Sequence, residues 1–348
     1  MSGLLSVGLM LLVFVIIYQI AKASEYSTIL RGEGKINTRV NRTMALLLVL
    51  FFVLGCYGIW ACNDALIGRM LPVSASDHGV QYDMMFAVTL LVTGIVFFIT
   101  QTLLFWFAYK YQASETRKSF FFPHNNKLEL IWTTIPAIAM TVLVVIGLRN
   151  WMHATSEAPK GSAVVEIVGK QFNWLVRYPG KDGVLGKRDF RKINDATNVL
   201  GLNWEDKDNM DDIIAQNGEL HMVVNKPIKL IIGSRDVIHD VGLSHFRMKM
   251  DAVPGIVTTM WFTPIVTTAR MKEITGNKDF VYEISCDQMC GKGHYSMRGT
   301  IIVETQEEYD AWMAKQQTYY AANAAPAPAE GEAKPEQKTD SVKAIALK

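Results

Sequence analysis

The sequence predicts a membrane-anchored α + β chain: N-terminal transmembrane helices, then a β-sandwich or Greek-key barrel outside the membrane. Three observations lead there. Four long apolar stretches crowd the first 148 of its 348 residues. From about Ala163 the composition changes to short runs rich in β-branched and aromatic residues, broken by turn formers. Two cysteines, a histidine and a methionine fall together in "CDQMCGKGHYSM" (286–297), in a chain with only four cysteines.

The apolar stretches are Leu4–Ala21, Met44–Cys62, Met84–Tyr109 and Glu129–Leu148. Each is close to the roughly 20 residues needed to cross about 30 Å of hydrocarbon. Helices buried in a soluble core are seldom this long and this uniformly apolar. The loops set the orientation. Residues 22–43 carry Lys22, Arg31, Lys35, Arg39 and Arg42, and residues 110–128 carry Lys110, Arg117, Lys118 and Lys127. Residues 63–83 carry Arg69 against Asp64, Asp77 and Asp83. Basic loops stay inside, so both termini and everything after Leu148 are expected outside. "IAKAS" (20–24) resembles a signal-peptidase site, but a signal peptide has its charges before the apolar run and here they follow it, so a retained helix is expected. "VLGC", ending at Cys56, is a weak lipobox-like string and reads as a thiol within a helix. A net charge of +2 gives no sign of nucleic-acid binding.

In the outer part, "SAVVEIVG" (162–169), "ELHMVVNKPIKLIIGS" (219–234), "DFVYEIS" (279–285) and "GTIIVE" (299–304) read as strands. Thr305 with Glu308 forms a capping-box pattern, so a last helix is expected from there to about Thr318. Residues 179–217 form a long polar excursion. Its acidic end (Glu205, Asp206, Asp208, Asp211, Asp212) reads as a solvated loop, with steering of a basic partner as the alternative. Residues 321–348, rich in Ala, Pro, Glu and Lys, read as a disordered tail. That tail holds no Cys-x-x-Cys-His haem attachment motif.

The cysteine motif admits several chemistries. A disulfide between Cys286 and Cys290 would leave His294 and Met297 without a reason to be there. Zinc takes Cys and His, but a thioether suits it poorly, and a mononuclear blue-copper site uses only one Cys. Two thiolates bridging two copper ions would use the whole set, since Cys, Met and His are soft or borderline donors suited to Cu(I). A second histidine is then needed from elsewhere. His221 lies within an expected strand and reads as structural; His239 and His245 both remain open on pattern alone.

Over roughly residues 84–315 the chain resembles subunit II of the cytochrome c oxidases, the haem-copper terminal oxidases. "LELIWTTIPAIAMTVLV" (128–144) is similar to the second helix of that family's hairpin, and "GKQFNW" (169–174) to its aromatic-rich first strand. "DVIHDVGLSHFRMKMDAVPG" (236–255) resembles the family's His loop and its Asp-Ala-x-Pro-Gly, and "CDQMCGKGHYSM" its dinuclear copper signature. The resemblance implies a two-helix hairpin followed by a cupredoxin-like barrel in the periplasm of a bacterial inner membrane. It implies a dinuclear copper A centre bridged by Cys286 and Cys290. His239 and His294 would bind one copper each, with Met297 and the Gln288 carbonyl as weak ligands. The implied role is to take electrons from a c-type cytochrome and pass them to haem in subunit I, where oxygen is reduced to water and protons are pumped.

The departures from that pattern carry expectations of their own. Gln288 stands where the family usually has a Glu that helps bind magnesium at the subunit I interface. An amide is a weaker ligand for a hard cation, which puts magnesium in doubt. The usual electron-receiving Trp is replaced by Phe172, leaving Phe172, Trp174 or another route for that task, unless both rings only pack the barrel. Two extra helices in residues 1–62 and the 179–217 insertion suggest further contacts, including a respiratory supercomplex. Glu129 aligns with a carboxylate at a proton-uptake mouth, although a negative charge at a helix N-terminus also has a simple electrostatic reason. Asp251 reads either as an interface hydrogen-bonding group or as a solvated turn residue.

Rival functions fit less well. A quinol oxidase subunit would lack the copper ligands, and nitrous oxide reductase needs a large histidine-rich domain for which there is no room. A copper chaperone or storage protein would cluster its Met residues, which here are scattered. A copper-containing nitric oxide reductase subunit separates poorly on sequence.

Overall fold

The computed structural model describes residues 2–30, 38–66, 71–113, 118–215 and 218–323. The chain divides into two compact units, Met1–Ser156 and Glu157–Lys348. Most of the expected tail (324–348) and several of the loop cations, Arg31, Lys35, Arg69 and Arg117, lie outside the described residues.

The first unit is helical: α1 Ser2–Leu30, α2 Thr38–Leu66, α3 Asp77–Lys110 and α4 Asn126–Ala154. Among the described residues three helices are long and apolar enough to cross a membrane: Val40–Asn63 within α2, and all of α3 and α4. The first expected span lies within α1, but the side chains of its residues 2–7, 9 and 10 are outside the described set. α3 and α4 run beyond their apolar windows because capped polar turns extend them. Ser76 Oγ accepts the Gly79 N–H at 2.9 Å to start α3, and Asn125 Oδ1 accepts the Leu128 N–H at 3.0 Å to start α4. The helices are apolar all round, with Phe97, Phe98, Val144 and Val145 about half exposed, as suits surfaces that meet lipid or another subunit. Phe52 of α2 packs on Phe97, Phe98 and Phe105 of α3. Gly147 of α4 admits Met85 of α3, whose Cε would lie 3.3 Å from a Cβ at that position.

The second unit is a β-sandwich. Its strands are β1 Ala163–Lys170, β2 Asn173–Tyr178, β3 Ile213–Ala215, β4 Leu220–Val223, β5 Ile228–Ser234, β6 His239–Leu243, β7 Met248–Ala252, β8 Thr258–Phe262, β9 Tyr282–Cys286 and β10 Arg298–Glu304. One sheet has the order β3-β2-β1-β5-β8 and the other β4-β10-β9-β6-β7. β1 runs parallel to β5 and β10 parallel to β4; the other pairs are antiparallel. Alternate residues fill the space between the sheets: Val165, Ile167, Trp174, Leu230 and Ile232 from one, Val241, Ile284, Ile301 and Val303 from the other. The expected strand 219–234 is two strands. It breaks at Asn225, whose φ of 60° is left-handed, and at Pro227, which has no N–H to offer a ladder. A short helix, α5 Thr268–Thr275, closes onto the second sheet.

The 179–217 insertion is not a solvated loop. It covers the outer face of the first sheet, so β1 is buried on both sides: Val168 packs with Leu200 and Leu202, with Leu175, Trp204 and Ile214 around them. Beside this patch, buried Arg177 faces Glu166 across the β1–β2 ladder and bonds it at 3.0 Å. The same guanidinium bonds Asp212 through Nε at 2.9 Å, Asn209 Oδ1 at 2.8 Å and the Gly186 carbonyl at 2.7 Å. Arg188 completes the cluster by holding Glu166 at 2.8 Å. The acidic end that reads as a solvated loop, with steering as the alternative, therefore spends Asp212 inside the fold, and Asp206 accepts the Lys187 N–H at 2.9 Å.

Thr305 forms the expected capping box with Glu308 and starts α6 Gln306–Met313. That helix stops earlier than expected because the chain turns into α7 Tyr319–Asn323, which fastens the insertion. The Tyr319 N–H reaches the Asp212 carbonyl at 2.7 Å, and its hydroxyl accepts the Val199 N–H at 3.1 Å. His221 is structural, stacked on Trp312 at 3.8 Å and bonded to Glu304 at 2.7 Å.

Removing Arg177 would leave buried Asp212 without a countercharge and Glu166 with Arg188 alone. Arg177→Met is expected to destabilise the β unit by about 3–5 kcal/mol, read as a lowered thermal midpoint by near-UV circular dichroism.

Candidate metal centre

The sulfur-rich motif acquires its shape from strand pairing. β6 and β9 are antiparallel neighbours with Val241 opposite Cys286, which brings His239, at the start of β6, beside Cys286, at the end of β9. After β9 the chain loops through 287–293, makes a single 3-10 turn at His294–Ser296 and enters β10. The Cys286 N–H bonds the Met297 carbonyl at 3.3 Å, closing the loop at its base.

The donors converge inside this loop. Cys286 Sγ lies 3.7 Å from Cys290 Sγ, 3.8 Å from His239 Nδ1 and 3.2 Å from the Gln288 carbonyl oxygen. Cys290 Sγ lies 3.7 Å from His294 Nδ1 and 3.8 Å from Met297 Sδ. His239, Cys286, Cys290 and Met297 are buried and His294 is half-buried. Both cysteines are free thiols. Two sulfurs each about 2.3 Å from one tetrahedral metal would stand about 3.8 Å apart, so the observed separation suits metal-sharing thiolates. A disulfide would need about 2.05 Å. Burial, reinforced by the neighbouring Cys286 thiol, pushes Cys290 up to about 11, a state that a bound cation would reverse by displacing the proton.

Of the candidate histidines, only His239 joins the sulfurs. His245 follows β6 at its other end and packs edge-on against Phe280 and Tyr282. Its pKa is lowered, mainly by burial. Gly169 of β1 makes room for His239: a Cβ there would sit 2.6 Å from His239 Cδ2.

Sequence reasoning missed Asp236. Its Oδ1 lies 2.8 Å from His239 Nε2, and its carboxylate also accepts the N–H groups of Gln171 and Val237 at 2.7 Å each. Burial opposes the charge, yet the hydrogen bonds, led by Gln171, hold Asp236 below the usual carboxylate range. The only signal in the sequence was an acid three residues before a histidine.

The remaining predicted residues fall in different places. Trp174 is 1% exposed and meets the His239 ring edge-on at 5.9 Å, so it is an interior residue that no docked protein can touch. Phe172 is half-buried at the β1–β2 turn and lies over the 291–293 loop, where a Cβ on Gly293 would meet its ring at 2.5 Å. The neighbouring Gln171 Nε2 bonds the Cys290 carbonyl at 2.5 Å. The Gln288 side chain is exposed. Asp251 is neither a turn residue nor an isolated one: it lies in β7 opposite Asp240. Burial, helped by the Asp251 carboxyl, pushes Asp240 up to about 7, while Lys249 opposes the shift. Glu129 lies in the first turn of α4, where its Oε1 accepts the Asn125 N–H at 3.4 Å.

Together these features define a membrane-anchored protein whose cupredoxin-like β domain carries a buried cluster of soft donors. Two family profiles match the chain, the cytochrome c oxidase subunit II transmembrane domain over residues 65–150 and its periplasmic domain over residues 163–306. The alternative cytochrome c oxidase subunit 2 of Bradyrhizobium diazoefficiens is 35% identical over 232 residues, covering 67% of this chain and 79% of that protein. The cytochrome c oxidase subunit 2 of Thermostichus vulcanus is 29% identical, covering 74% and 81%. A solved structure, the periplasmic domain of subunit II of the Bradyrhizobium japonicum cytochrome oxidase, is 24% identical and covers 45% of this chain and 95% of that one, with a TM-score of 0.31. The chain belongs to the cytochrome c oxidase subunit II family, the copper-binding subunit of a haem-copper oxidoreductase complex.

Losing the Asp236 carboxylate should loosen the His239 ring. Asp236→Ala is expected to weaken copper retention by about 10–100-fold, measured by competition with a chelator, with the far-UV circular dichroism of the β unit unchanged.

Proposed function

We propose that this chain is the electron-accepting subunit of a cytochrome c oxidase, taking single electrons from a c-type cytochrome and delivering them to haem in subunit I. The observation that carries this reading is the pair of free thiols 3.7 Å apart, flanked by two imidazole Nδ1 atoms and a thioether. Cys286 and Cys290 would bridge two copper ions. His239 and His294 would each hold one ion, with Met297 and the Gln288 carbonyl as weaker ligands. When bound, such a pair supplies a one-electron carrier whose charge is spread over two metals.

The chain's own residues prepare this site. Asp236, facing His239 Nε2, fixes the tautomer that leaves the Nδ1 lone pair turned to Cys286. Trp174 and Gly169 fix the plane of the same ring. The closed loop keeps water from the sulfurs. Outside it, Phe172 with the exposed Ile238, Met289 and Tyr295 offers an apolar landing surface for the donor. Phe172 is the residue through which electrons would arrive, with buried Trp174 behind it. The exposed Gln288 amide makes a poor magnesium ligand. Glu129 would serve proton uptake from the inner side, with both chain termini on the outer side of a bacterial cell membrane. The extra helices and the insertion would meet other subunits or a supercomplex partner.

The test is copper quantification with electron paramagnetic resonance on the purified, oxidised full chain. Two coppers per chain with a seven-line hyperfine pattern are expected, lost in Cys286→Ser; one copper with a four-line pattern would overturn the dinuclear reading. In the assembled oxidase, Phe172→Ala should slow electron input from cytochrome c while leaving that spectrum intact. Glu129→Gln should slow oxygen turnover with the spectrum likewise unchanged, and unaltered turnover would remove Glu129 from the proton path.

A further inference from the structure

The helical unit contains a second group of metal-ligating side chains, unrelated in sequence to the sulfur motif. α3 and α4 run antiparallel, so the first turn of α3 and the last turn of α4 lie at the same end of the hairpin, the end from which the chain continues into β1. Asp77 and His78 open α3, and His153 is the last residue but one of α4. The Ser76 cap fixes the entrance of α3, and Asp77 Oδ1 accepts the His78 N–H at 2.8 Å. His78 is 1% exposed, whereas His153 is exposed. Their rings meet edge-on at 5.0 Å.

We propose that Asp77, His78 and His153 form a binding site for a divalent cation of the zinc(II) or copper(II) class, pinning the start of α3 to the end of α4. One ligand atom from each of the three residues lies within 4.8 Å of the others. His78 Nδ1 is 3.6 Å from Asp77 Oδ1, close to the edge of about 3.4 Å expected between ligands of a tetrahedral zinc with bonds near 2.1 Å. The separations to His153, none above 4.8 Å, have to close by at most roughly 1.4 Å to reach that edge, and the exposed His153 can supply that movement by rotation of its side chain. Two imidazoles with one carboxylate suit zinc or copper(II); magnesium and calcium prefer all-oxygen sites. Three protein ligands leave a fourth position for water. The Asp77 charge and the carbonyl end of α4 both favour a cation here. With no sulfur present, this site and the cysteine cluster select different oxidation states of copper.

The site is independent of the electron-transfer reading, and its test keeps the two apart. The copper-loaded full chain in detergent, first stripped of loosely held metal with a chelator, is titrated with zinc(II). One additional zinc per chain is expected, with only nitrogen and oxygen neighbours in zinc-edge X-ray absorption. His153→Ala and Asp77→Asn, both at accessible positions, should each weaken it by about tenfold or more. The same zinc should bind to a Cys286→Ser/Cys290→Ser chain, whose sulfur site is gone. No stoichiometric zinc, a sulfur neighbour in the spectrum, or unchanged affinity in both single variants would overturn the proposal and leave the three side chains as a local hydrogen-bonded end to the hairpin.

Discussion

The antiparallel pairing of β6 with β9 is the constraint on which the rest of the β unit depends. One short ladder, with Val241 opposite Cys286, brings together a histidine and a cysteine 47 positions apart in the chain. Rigid strands deliver His239 and Cys286. The loop that supplies Cys290, His294 and Met297 is closed at its base by the Cys286–Met297 hydrogen bond, which limits the entropy lost in ordering it. β1 and β2 back the pairing from the facing sheet through Gly169 and Trp174, so the site is built from both layers.

That backing explains the remainder of the architecture. β1 lies in the first sheet between β2 and β5, and a strand so placed in a two-layer sandwich would normally keep one polar face. Here the insertion covers that face with Leu200 and Leu202, the Arg177 cluster anchors it, and α7 straps it down. Such a cluster stabilises only while complete, since a buried charge without its partner is more costly than an apolar substitute. Its benefit is a fixed location for the insertion and, beneath it, for β1.

Legibility followed the distance along the chain over which each feature is encoded. The helices were readable because apolar runs are local; their ends were not, since Ser76, Asp77 and Asn125 look like loop residues until their side chains cap a turn. The Thr305 box was readable for the same local reason. β6 and β7 went unread because their charged residues, Asp240, Lys249 and Asp251, broke the alternation that marks a strand. The spacing within 286–297 was plain, but the choice between His239 and His245 was not, because strand register decides it. Asp236 was invisible for a related reason: a carboxylate beside a histidine acquires meaning only once the ring's orientation is known. The insertion looked solvated because its charges outnumber its leucines, and only burial shows that Asp212 is matched from within.

The length of α3 has a consequence for where the hairpin ends. Its 34 residues make a rod of about 51 Å at 1.5 Å per residue, roughly 20 Å longer than the hydrocarbon it must cross. A modest tilt takes up part of that excess. The remainder must stand in the headgroup layer or beyond it, and the polar first turns with His78, Gln81 and Asp83 are the part of the rod suited to emerge. α3 is thus a stalk as well as an anchor.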